Sequence, residues 1–252
     1  MRKVPIWLIC ATVFLLFSSQ AEAYTIDLTA GRGTTVAYDD AVFIEFTEEM
    51  QSTVSSGTGV IDPFLTIQKK NYEEGFNSDA KPLVLDTTRP KWNHSLQVSD
   101  LVVSPIDGYS AYYEFLLDIN EPSRTSLLLQ TELEVYVVPN SAGGAIDDYG
   151  DLSAYTPVWD LDRLEDSAIL YDYNLWSGSG QNMDAAFLLP TDLFSGFSAD
   201  AFVYLYAAFE ASGDGFEEYV QREGVQVPEP GTLLLLGAGL VALAGRKKWL
   251  KK

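Results

Sequence analysis

Cysteine and histidine are almost absent from this chain. Cys10 is the one cysteine and His94 the one histidine among 252 residues. Cys10 lies inside an apolar N-terminal run and follows Ile9, where a lipoprotein needs a small residue. Without that run, the chain can form no disulfide, no thiolate metal site and no cysteine nucleophile. The same count excludes a zinc centre built on several His or Cys ligands. A Ser-His-Asp triad would have to use His94, yet its neighbour Ser95 points to the opposite face of any strand, and no G-x-S-x-G elbow is present. A phosphate cradle is missing too, because Gly31-Arg32-Gly33 lacks the remaining glycine spacing and the strand-then-helix setting.

Positive charge is also scarce. Lys and Arg number 16 against 36 Asp and Glu, a formal net charge of −20. The imbalance is sharper between residues 24 and 227, with 9 basic against 34 acidic residues. Such a body repels nucleic acid and anionic lipid, stays soluble and attracts divalent cations. Acids this dense fall into close pairs by chance, so pairing alone does not point to a glycosidase. Asp147, Asp148 and Asp151 in a glycine-flanked loop are candidate calcium ligands, with Asp118, Asn120 and Glu121 as a second cluster. Neither cluster follows the spacing of a known calcium loop. The expectation is therefore no cofactor, with calcium as the one metal to consider.

No hydrophobic run reaches the roughly 20 residues of a full membrane span, but a short one occupies each end. Arg2 and Lys3 precede an apolar stretch from Val4 to Phe17, and Ala21-Glu22-Ala23 forms an A-x-A site. Residues 1–23 thus read as a signal peptide cut before Tyr24, with signal peptidase and the general secretion machinery as partners. At the other end, Val227-Pro228-Glu229-Pro230 precedes the uncharged run Gly231–Gly245, and Arg246-Lys247-Lys248 follows. The two prolines keep the first stretch extended and open to a processing enzyme. The uncharged run would make a helix of about 22 Å, short of the hydrocarbon core. The basic end would stay on the cytoplasmic side.

The order and spacing of these three parts, over residues 225–252, resemble the PEP-CTERM sorting signal, also called an ice-binding protein C-terminal domain. That second label belongs to the tail and implies no ice binding here. The resemblance implies an exported protein of a Gram-negative-type bacterium. An exosortase-type membrane protease would hold it briefly at the inner membrane and process it. The cell surface or an exopolysaccharide matrix would be its destination.

Between the ends, residues 24–224 read as one acidic, all-β domain, an antiparallel β-sandwich flanked by an N-terminal signal helix and a short C-terminal transmembrane helix. Strand-like runs appear at Ala41–Phe46, Phe64–Gln68, Ser95–Val103, Tyr112–Ile119, Leu127–Val138, Ala168–Tyr173, Ala185–Leu189 and Phe202–Phe209. Asp160–Ser167 is the one short helix expected. The phrases Ser56–Gln68, Trp92–Leu96, Glu114–Glu121 and Gly215–Glu218 together look like a recurrent ectodomain of PEP-CTERM proteins, which implies a β-rich domain and carries no activity across. The expected role is a non-enzymatic surface or matrix component. The alternative is a carbohydrate-binding or carbohydrate-active domain, with Tyr171, Tyr173, Trp176, Tyr204 and Tyr206 as its stacking face.

Overall fold

Period-two alternation carries the two longest strands, Leu127–Val138 and Phe202–Gly213. Leu133, Val135 and Val137 share one face, and Val203, Leu205 and Ala207 share the matching face of the other strand. The two pair antiparallel with Val203 opposite Val137, Leu205 opposite Val135 and Ala207 opposite Leu133. The register therefore puts all six side chains into one apolar cluster. The computed structural model describes residues 23–54, 62–122, 127–142, 146–176 and 182–222.

In chain order the elements are β1 (Tyr24–Asp27), β2 (Thr35–Tyr38), β3 (Ala41–Glu45), α1 (Glu48–Gln51), β4 (Pro63–Ile67), β5 (Lys70–Phe76), β6 (Leu96–Gln97), β7 (Tyr112–Asn120), β8 (Leu127–Val138), α2 (Tyr149–Leu152), β9 (Trp159–Asp160), β10 (Ser167–Asp172), β11 (Ala185–Pro190), β12 (Phe202–Gly213) and β13 (Phe216–Val220). One sheet runs β1-β10-β8-β12-β5, with β6 on β12 and β9 on β8. The other runs β2-β3-β11-β7-β13-β4. Every pairing is antiparallel except β1 with β10, which is parallel and departs from the expected all-antiparallel arrangement.

The main core lies between the sheets. Phe43 and Phe187 of the second sheet stack at 5.2 Å, and Trp159 of the first sits 4.9 Å from Phe187. Each such ring contributes on the order of 1.5–3 kcal/mol by burial. The outer faces are covered as well. Val42, Ile44, Phe46, Leu116, Leu188 and Trp176 form a second cluster, and Phe76, Tyr136, Leu152, Tyr204 and Tyr206 a third. This cover explains why β3 is buried along its whole length rather than alternating with solvent, and β4 is buried likewise where Thr66 N–H donates to Asn93 Oδ1 at 3.0 Å and His94 N–H to Phe64 O at 3.1 Å.

The helix expected at Asp160–Ser167 does not form. Asp160 Oδ1 accepts from the Asp162 N–H at 2.8 Å, and Asp162 Oδ1 accepts from the Ser167 N–H at 2.8 Å. These aspartates turn the chain locally instead of letting it wind, and Asp160 and Ser167 fall in β9 and β10. Among the described residues no helix is long and apolar enough to cross a membrane. The expected signal and transmembrane helices lie outside the described residues.

Candidate functional site

The two ends of the described chain are tied down differently. Ala23 is exposed, and Tyr24 opens β1, where its N–H donates to Asp166 O at 2.8 Å and its ring stacks on Tyr38 at 5.1 Å. At the other end, Arg222 follows β13 and is buried. Its Nε donates to Glu114 Oε2 at 2.7 Å, Nη2 to Glu114 Oε1 at 3.2 Å and Nη1 to Thr53 Oγ1 at 2.7 Å. Gln221 adds a second tie, donating to Glu114 O at 3.0 Å while accepting from the Val102 N–H at 3.0 Å. A bidentate guanidinium pair on a fully buried carboxylate is the strong form of such a contact. A clamp anchored on β7 thus holds the last described residues of the chain.

A second acidic region lies deeper, at one end of the space between the sheets. Glu217 of β13 stands two residues before Tyr219, which is in the main core, so strand alternation turns Glu217 inward too. Glu73 of β5 points inward because Phe76, three residues on, packs on the outer face. Glu121 directly follows β7. One carboxylate oxygen from each of the three lies within 4.8 Å of the others, and all three residues are buried. Lys69 N–H donates to Glu73 Oε2 at 2.7 Å, and Gly213 N–H donates to Glu121 Oε2 at 2.7 Å. Neither oxygen of Glu217 receives a donor. Burial, followed by the neighbouring Glu73 and Glu121, pushes the Glu217 carboxyl well above the usual range. Gly215 makes this closure possible, since a Cβ there would stand 2.2 Å from the Asn120 carbonyl oxygen.

The residues singled out from sequence sit elsewhere. Asp147 accepts from Ser78 Oγ at 3.3 Å, whereas Asp148 caps α2 by accepting from the Gly150 N–H at 2.7 Å, and Asp151 lies within that helix. Their oxygens do not converge as a ligand set among the described residues. The second sequence cluster is split. Glu121 joins Glu73 and Glu217, while Asp118 faces Glu218 and Asp184. Burial first, then Glu218, pushes the Asp118 carboxyl up to about 7. Ser95 donates to the Asp79 carboxylate rather than to His94, whose Nδ1 lies 3.2 Å from the Ser95 carbonyl oxygen. No Ser-His relay forms there. The five rings considered for sugar stacking are all buried, Trp176 beneath the Arg32 guanidinium at 3.8 Å. A groove of about 330 Å³ between α1 and the Pro105–Asp107 loop is lined by Met50 and Ile106, with Glu49 and Asp107.

The sorting residues Val227, Pro228, Glu229 and Pro230, the basic Arg246, Lys247 and Lys248, and Ala21 lie outside the described residues. The tail residues among them fall within a match to a protein family. Residues 226–248 match the PEP-CTERM protein-sorting motif. The PEP-CTERM motif marks an exported protein that carries a membrane-anchoring sorting signal and is processed by exosortase-type machinery. It begins a few residues beyond the Arg222 clamp. No curated protein and no solved structure matches the chain.

Proposed function

We propose that this protein is a non-enzymatic component of the cell surface or extracellular matrix, delivered through PEP-CTERM sorting to an exopolysaccharide or biofilm setting. Signal peptidase would free the N-terminus before Tyr24, and an exosortase-type protease would act near Val227–Pro230. The single observation that carries this reading is the motif match at residues 226–248. Two features of the folded body support it. Its acidic excess makes it soluble outside the cell and able to bridge polyanionic polysaccharide through divalent cations. The one group of three converging carboxylates among the described residues, Glu73, Glu121 and Glu217, is buried away from any bulky substrate. The carbohydrate-binding alternative loses the five rings on which it stood.

The test is the intact mass of protein recovered from the host. Wild type is expected to lack residues 1–23 and the tail beyond the motif. The double variant Pro228→Ala/Pro230→Ala is expected to keep its tail and stay in the inner membrane. Equal masses and equal placement for the two proteins would overturn the reading.

A further inference from the structure

We infer that Glu73, Glu121 and Glu217 hold one hard divalent cation, calcium, which ties β5, the end of β7 and the start of β13 together inside the sandwich. This goes beyond the sorting route and does not rest on it.

Geometry supports it first. Calcium binds oxygen at about 2.3–2.6 Å, so any two ligands of one ion lie within roughly 4.8 Å of each other. The three glutamates meet that condition with one oxygen each. They come from three separate parts of the chain, and two of them are already oriented by backbone donors, Glu73 by Lys69 and Glu121 by Gly213.

Glu217 supplies the second, independent observation. It is completely buried, it is aimed into the cluster, and neither of its oxygens receives a hydrogen bond. The second oxygen of Glu73 is likewise without a donor. Buried carboxylates are normally paired with donors or cations, because an unmatched charge in a low dielectric is very unfavourable. Glu114, equally buried, follows that rule through Arg222. No Lys, Arg or His among the described residues forms an ion pair with Glu217. A cation at the convergence point inverts the local electrostatics and lets all three acids ionise.

The ligand chemistry selects the ion. An all-carboxylate set suits hard cations better than zinc or copper, which favour nitrogen and sulfur ligands. A closed, fully buried set favours calcium over magnesium, which gives up its water reluctantly. A shared proton is the competing way to neutralise Glu217, and the experiment separates the two.

The full-length chain, purified in mild detergent, would be analysed for bound metal after dialysis and melted in about 1 mM calcium and in excess EGTA. The expected result is about one calcium per chain and a melting temperature at least about 5 °C higher with calcium. Glu217→Gln and Glu73→Gln should abolish that rise, and the surface variant Asp147→Asn/Asp151→Asn should keep it. A folded wild type that binds no calcium and melts identically in both buffers would mean a shared proton and overturn the proposal. So would a rise that survives Glu217→Gln and disappears in the surface variant. If Glu217→Gln does not fold, the wild-type stoichiometry and the surface variant decide the question.

Discussion

Glu114 and Glu217 are both fully buried acids on neighbouring strands of one sheet, yet they face different partners. Glu114 on the outer face of β7 receives the Arg222 guanidinium in bidentate fashion. Glu217 on the inner face of β13 meets two more carboxylates instead. The acidic composition alone would treat the two residues alike. What separates them is the face of the strand and what the opposite layer brings to it. An acid facing outward beneath a covering loop can be reached by a long basic side chain. An acid facing the opposite sheet is reached only by what that sheet and the nearby strand ends carry, here Glu73 of β5 and Glu121 at the end of β7.

Substitutions at each kind of acid test this contrast. Arg222→Ala should have the largest effect, because it strands Glu114 as an unpaired buried charge. A loss of about 3–5 kcal/mol in denaturant unfolding is expected, a large share of a domain's stability. Replacing both partners with apolar residues of similar size should recover most of that loss. If Arg222→Ala costs less than about 1 kcal/mol, the clamp is not what closes the fold at the last described residues.

Glu45 tests a buried acid that forms no ion pair among the described residues, Arg32 nearby offsetting only part of the cost of its burial. Burial, followed by the nearby Asp172, pushes its carboxyl up to about 8 from an ordinary value of 4.5. The folded state then holds a proton that the unfolded state releases. The sign follows: this contribution to stability is complete below about pH 4.5 and is lost as pH rises towards 8. The slope is at most about 1.4 kcal/mol per pH unit for this one group. Glu45→Gln should flatten it, as unfolding curves at about pH 5, 6.5 and 8 would show. A wild-type slope that Glu45→Gln leaves unchanged would assign the effect to another acid.

The smallest effect belongs to the surface acids first read as calcium ligands. Asp148→Ala removes the cap of α2 and should cost about 0.5–1 kcal/mol, equally with and without calcium. A calcium-dependent difference at Asp148 would move the ion to the surface loop and remove the contrast between exposed and buried acids.

Particular strands show where sequence reading succeeds. β8 coincides with the run Leu127–Val138, and β12 begins where expected at Phe202, because both alternate cleanly between two packed faces. β5 and β13 went unread. Their sequences, KNYEEGF and FEEYV, carry adjacent glutamates that look like solvated charge. Tertiary pairing overrides that local signal, since β5 is held by β12, and β13 sits between β7 and β4. The glutamates that hid these strands are the same ones that form the buried cluster. Glu121 was singled out, but beside Asp118 and Asn120, because nearness along the chain was the only guide to partners. The Arg222 clamp went unread for the same reason, since Glu114 lies 108 residues away.

The sorting tail is a local code of prolines, apolar length and terminal basic charge, so the order of its residues is enough to identify it. Strand alternation is also local, and it made the β-rich class legible. Which acids meet is not local. Glu73, Glu121 and Glu217 are brought together by sheet order, by register and by a glycine that lets one turn close over another strand's end. Only the tertiary structure could decide that, because the electrostatics of a buried charge depend on its neighbours in space.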